Sequence, residues 1–175
     1  MLPHKQLITV TVGAILIVFT SGGVDIIPGG IVIIPEGGER GGFKSIDGGA
    51  TWTQKLGDEE WIGATDLIID PRNNKLLYAA TWQRHRTVAG YLGGGPGTAI
   101  YKSKDGGNNW EKLTNGLPKS NMGKIGLTIA PQNPDIIYAA IELDRRKGGV
   151  FKSTNKGADW EKMSDAVSGG TGPHY

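Results

Sequence analysis

The 175-residue chain has no cysteine, which excludes disulfides, thiolate catalysis and cysteine-ligated zinc. Its three histidines, His4, His85 and His174, show no metal-ligand spacing, and the sequence implies no metal or cofactor. Walker loops, nucleophile elbows and zincin motifs are missing too. Charge of one sign is scarce: 19 basic against 17 acidic side chains leave +2, which gives no footing for nucleic-acid binding. Long apolar runs are also lacking. The longest, LITVTVGAILIVFT (residues 7–20), falls short of the ~20 residues that span a bilayer. Aromatic residues make up only 7%, so each can be accounted for singly.

Glycine is what the chain has in excess, 29 residues or about 17% against a usual ~7%. The glycines do not recur every third residue, so collagen is excluded and tight turns are their use. Two readings of residues 7–20 stay open. Lys5 before the run and the TSGG stretch after it fit a secretory leader, with residues 1–22 removed. The β-branched residues fit two buried strands, with Phe19 in the place that Tyr78 holds further on. Repeat spacing favours the strands.

Three octapeptides align without gaps: SIDGGATW (45–52), SKDGGNNW (103–110) and STNKGADW (153–160). Their flanks align as well, from GFKS, IYKS and VFKS upstream to the tryptophan and the lysine after it. A second block recurs as DLIIDP with LLYAA, and as GLTIAP with IIYAA. Each unit of about 50–60 residues reads as four short strands, A to D, with B apolar throughout and buried on both faces. The fold expected is all-β, a partial propeller of about three four-stranded blades. The units are 1–56, with a degenerate first blade, then 57–114 and 115–163, and a tail at 164–175 leading to a further blade.

In each octapeptide the chain must reverse between strands C and D. The residues assigned to this turn are Ser45, Asp47, Gly49 and Trp52; Ser103, Asp105, Gly107 and Trp110; and Ser153, Asn155, Gly157 and Trp160. The aspartate accepts backbone amides and the serine hydroxyl, glycine takes the positive φ, and tryptophan covers the turn. In the third copy Asn155 can still accept, though without charge.

These octapeptides resemble the Asp box of the bacterial neuraminidase repeat propellers. The stretches GATDLIIDP (63–71), AATWQR (79–84) and GGGPGTAIYKS (93–103) look more closely like the sortilin-type group, and the likeness covers about residues 41–163. The resemblance implies a secreted protein, extracellular or periplasmic. It also implies a ligand-binding propeller module whose partner is a glycan, a peptide or a protein. The alternative is part of a glycoside hydrolase, since sialidases and xyloglucanases also use such propellers. The Arg-Ile-Pro motif of sialidases is absent. The xyloglucanase type carries an aspartate just before Gly-Gly, and the nearest candidate, Asp144, is displaced from Gly148 by three basic residues.

Subtracting the repeat leaves Trp61, Trp82, Tyr91 and Tyr175 unclaimed. The second B–C loop, from Trp82 to Gly97, is longer than its counterpart in the third unit. Long loops on a rigid scaffold often carry function. Trp82, Arg84, Arg86 and Tyr91, with Trp61 from the neighbouring interblade loop, are therefore the candidate ligand-binding residues, suited to a sugar or an anion. The plainer alternative is a solvated loop with an aromatic anchor; Arg145 and Arg146, in the corresponding third loop, either join this patch or, the favoured reading, are solvated charges. Asp58, Glu59 and Glu60 are candidates for a hydrolytic pair, though a polar interblade loop is the favoured reading of them. No catalytic residue is assigned. Self-association or further blades of the same chain are expected to cover the open sheet faces.

Overall fold

The computed structural model describes residues 15–19, 29–34, 40–143 and 148–164. Fourteen strands lie among them, and no helix does. The first sheet joins β1 (Ile15–Phe19), β2 (Gly29–Ile34), β3 (Gly41–Ser45) and β4 (Thr53–Leu56) in that order. The second comprises β5 (Ile62–Asp70), β6 (Asn73–Gln83), β9 (Ile100–Ser103) and β10 (Glu111–Leu113). A hairpin of β7 (His85–Arg86) and β8 (Tyr91–Leu92) interrupts it between β6 and β9. The third runs β11 (Met122–Ile129), β12 (Ile137–Leu143), β13 (Gly149–Ser153) and β14 (Glu161–Ser164). Each sheet is an antiparallel meander of four strands, as the repeat implies.

The register corrects one expectation. Tyr78 pairs with Lys102 and Tyr138 with Lys152, and the equivalent pair in the first sheet is Ile31 with Lys44. Ile31, not Phe19, therefore holds the Tyr78 position. The strands expected within 7–20 are only partly so: β1 is strand A, strand B lies at 29–34, and residues 7–14 and 20 fall outside the described residues. Sequence spacing missed this because a strand is located by its hydrogen-bonded partner, and the number of residues between strands A and B differs from unit to unit.

In the second sheet strand B is buried on both faces because its alternate side chains enter two different cores, whereas in the third sheet, against the expectation, Tyr138 is half-buried and Ala140 exposed. Leu77 and Ala79 pack with Ile31, Ile33, Leu56, Ala64 and Leu67 between the first and second sheets. Leu76, Tyr78 and Ala80 pack with Ile125, Leu127, Ile137, Phe151 and Trp160 between the second and third. Successive sheets thus stack face to face in chain order.

Polar bonds lock the stack. Tyr78 donates its hydroxyl to the Lys156 carbonyl at 2.9 Å, and the Lys102 ammonium donates to the same oxygen at 2.6 Å. Leu127 N donates to Asp66 Oδ2 at 2.7 Å, tying the two A strands. Nearby, Arg72 bridges Asp70 in its own sheet and Asp135 in the next. Its hydrogen bonds hold both carboxyls below their ordinary range.

The turns divide their amides between two acceptors, the serine and the aspartate. Ser103 Oγ accepts from the buried Gly107 amide at 2.8 Å and donates to Asp105 Oδ1 at 2.8 Å. Asp105 Oδ1 instead takes the outer amides of Asn108 and Asn109, each at 3.0 Å. The other two copies repeat the serine bond to Gly49 and to Gly157. Bonds to Asn109 and Ser103 pull the Asp105 pKa down to about 2, and bonds to Thr51 and Ser45 do the same for Asp47. Gly107 is glycine for two reasons: its φ is 83°, and a Cβ there would come within 2.5 Å of Ile31 Cδ1.

Candidate functional site

Each octapeptide turn lies at the start of strand B, as the 2.9 Å bond from Gly106 N to the Lys75 carbonyl shows. The B–C connections therefore emerge at the opposite end. There β6 continues to Gln83, and the long loop folds as a hairpin instead of standing free. Thr87 closes it: its amide donates to the Gly90 carbonyl at 2.8 Å, and its hydroxyl accepts from Gly90 N at 3.0 Å. The return strand is stitched to strand B. Trp82 Nε1 donates to the Gly93 carbonyl at 2.7 Å, and Gly97 N donates to Gln83 Oε1 at 2.9 Å. Gly95 pairs across to Met122, so the loop also bridges to the third sheet.

Three of the candidate residues come together. The Arg84 guanidinium lies 5.2 Å from the Trp82 ring centre and 5.7 Å from that of Tyr91. Both separations are within cation–π range. Lys124, from β11, places its ammonium 5.8 Å from the same Trp82 ring. Trp61 stands alongside: its carbonyl accepts from Arg84 N at 2.9 Å, and its ring stacks on His85 at 4.2 Å. Trp61 takes φ 67°, an uncommon conformation for a bulky residue. Arg40 secures the base by donating to the Arg84 carbonyl. Arg86 is exposed on the hairpin, paired across it with Tyr91. Sequence reasoning named His85 beside Arg84 and Arg86 but missed Lys124 and Arg40, which come from the flanking units.

Beside the hairpin an open cleft of about 870 Å³ runs between Pro96 and the segment from Lys112 to Met122. Leu113, Leu117 and Met122 supply apolar surface, Lys112 and Lys119 supply cations, and no carboxylate is among its lining residues. Asp58 and Glu59 line a separate pocket of about 230 Å³ with Tyr101 and Trp110. Burial raises the Tyr101 hydroxyl pKa there, and the two carboxylates add to the effect. Glu60 is exposed. Asp144, Arg145, Arg146 and Tyr175 lie outside the described residues. Among the described residues no cluster of three His, Asp or Glu could hold a metal ion, and no helix is long and apolar enough to cross a membrane.

No family model matches the chain. A xyloglucanase of Hypocrea jecorina is 26% identical over 144 residues, which is 75% of this chain and 16% of that protein. The GH74 xyloglucanase of Xanthomonas campestris superposes with a TM-score of 0.58 at 15% identity, covering 78% of this chain and 19% of that one. The GH74 enzyme of Niastella koreensis gives 0.57 at 20% identity, covering 77% and 19%. The chain thus spans less than a fifth of each. The structural likeness establishes the architecture as a partial β-propeller.

Proposed function

We propose that the chain is a segment of a glycoside-hydrolase-type propeller, of the xyloglucanase kind, and that its B–C loop face holds a polysaccharide. The observation that carries this is the likeness to the Hypocrea jecorina xyloglucanase, which runs through three quarters of the chain. The geometry agrees. The cleft has the volume of an ordinary ligand site, and the Trp82–Arg84–Tyr91 stack beside it offers aromatic surface with a fixed cation. The octapeptide turns join this reading to the Asp-box propellers, with a location outside the cytoplasm.

One observation favours a second reading, a non-catalytic module of the sortilin type that binds a peptide or protein. Hydrolysis of a glycosidic bond takes two carboxyl groups ~5–9 Å apart across it. The cleft lining supplies none. In either reading this segment contributes binding surface, with Trp82, Arg84 and Tyr91 as its centre and Trp61 and Arg86 at its margin.

Titration calorimetry with xyloglucan oligosaccharides, beside a peptide array and a reducing-end release assay, tests the proposal. Binding of the oligosaccharide, weakened at least tenfold in Trp82→Ala/Arg84→Ala, is the expected result. Peptide capture with no glycan binding would replace it by the second reading.

A further inference from the structure

The cleft beside the hairpin is framed by two stretches of chain without acidic residues. Neither residues 84–104 nor residues 112–134 contain an Asp or a Glu, although the chain has 17 of them. The first stretch builds the hairpin and its return strand and carries Arg84 and Arg86. The second carries Lys112, Lys119 and Lys124, all three exposed. In a chain whose net charge is only +2, charge of one sign is thus gathered at one place.

Packing fixes where these cations stand. Lys112 lies on β10 opposite Tyr101, and its ammonium donates to the Pro96 carbonyl at 3.2 Å, which holds it at the cleft wall. Lys119 follows a turn closed by the 3.3 Å bond from Leu117 N to the Thr114 carbonyl. Leu117 is buried in the core between the second and third sheets, and the Asn115 carbonyl accepts from Trp160 N at 3.1 Å, so this segment is anchored twice. On the hairpin side Gly95 N donates to the Met122 carbonyl at 3.2 Å. Met122 lines the cleft, and Lys124 in the same strand brings its ammonium to the Trp82 ring. The cleft and the Trp82–Arg84–Tyr91 stack therefore adjoin through residues 93–95. Nearby carboxylates do not cancel the charge. Glu142 accepts from the Lys124 backbone amide at 3.3 Å and faces one of the three lysines. Glu111 is next to Lys112 in sequence but on the other face of β10, paired with Lys104 at 3.1 Å. Asp58 and Glu59 line the separate pocket.

We propose that this cleft takes an acidic polysaccharide, a sugar chain bearing carboxylate or sulfate groups, with Lys112, Lys119 and Lys124 pairing its acid groups. The inference rests on the reading that this face holds a polysaccharide, and it adds the charge of that chain. A lysine is a compact point charge on a flexible stem, suited to acid groups that recur along a chain. Cations gathered around an open cleft also raise the local concentration of an anionic chain.

Titration calorimetry on the intact chain compares a short oligogalacturonate, its methyl ester, a sulfated oligosaccharide of the same length and a xyloglucan oligosaccharide. The methyl ester keeps the sugar chain and removes its charge. At about 0.01 M salt, where the screening length is about 30 Å, an acidic chain is expected to bind at least about tenfold tighter than the ester. The difference is expected to shrink at about 1 M salt, where that length is about 3 Å. Whichever acidic chain binds tighter names the acid group. Lys112→Gln/Lys119→Gln is expected to weaken the acidic chain about tenfold and to leave the ester unchanged, which also shows the cleft intact. Lys75→Gln/Lys104→Gln removes the same charge at the opposite end of the sheet, by the octapeptide turn, and is expected to alter neither. Ester and xyloglucan binding as tight as that of both acidic chains would overturn this inference and leave the polysaccharide reading standing. Absence of binding by all four would overturn both. An equal loss in the two double variants would assign the preference to net charge and remove the site.

Discussion

Ser103→Ala is expected to destabilise the chain more than Asp105→Ala. Ser103 is 1% exposed, and its hydroxyl is the acceptor for the buried Gly107 amide. Alanine fills the same space and offers that amide nothing. A buried N–H without a partner costs about 1–3 kcal/mol. Asp105 also loses the hydroxyl that donates to Oδ1, though water reaches this carboxylate and recovers part of that bond. The expected total is about 2–3 kcal/mol. Asp105→Ala frees the outer amides of Asn108 and Asn109 and the Asn109 side chain, which water can satisfy, and takes the acceptor from the Ser103 hydroxyl, so its cost is about 1–2 kcal/mol. Urea unfolding at pH 7, followed by tryptophan fluorescence and circular dichroism, measures both. The refuting outcome is the reverse order, or a Ser103→Ala midpoint equal to that of the parent chain.

Protonation should act through the same turns. The folded pKa values of Asp47 and Asp105 are depressed to about 2 from 3.8, so their contribution is complete above about pH 4 and is lost as pH falls towards 2. Urea midpoints are therefore expected to fall across that window, less steeply in Asp47→Asn/Asp105→Asn; an unchanged slope counts against the assignment. Tyr78→Phe removes one hydrogen bond at a carbonyl that Lys102 still serves, and about 0.5–1 kcal/mol is expected. Tyr78→Ala empties a fully buried site between two sheets, and about 3–5 kcal/mol is expected in the same urea assay. In the third turn the donor and acceptor are exchanged: Asn155 donates to Asp159 Oδ2, where Asp105 accepts from Asn109. Asn155→Asp sets two carboxylates together and should lower the melting temperature, and adding Asp159→Asn should restore it. Absence of rescue would show that the pair does not act as a unit.

The three turns were legible in the sequence because their bonds are local. Ser103 reaches Asp105 and Gly107 within four residues, so composition and spacing carry the whole geometry. The B strand of the second unit was legible too, since LLYAA is apolar at consecutive positions and lies between two faces, whereas in IIYAA Tyr138 is half-buried and Ala140 exposed. The excess length between Trp82 and Gly97 was visible by subtraction, and so were the aromatic residues that the repeat does not claim.

Long-range pairing decided the rest. Ile31 matches Tyr78 because of the strand opposite it, and no spacing rule places that partner when the A-to-B separation varies between units. Lys124 reaches Trp82 because the third sheet stacks on the second, distant along the chain but adjacent in space. Serine, not aspartate, received the buried amide because burial depends on the neighbouring sheet: Ile31 closes over Gly107, while the carboxylate stays at the rim. A hydrogen bond within a turn is settled by a few residues, whereas its exclusion from water is settled by whatever packs on top of it.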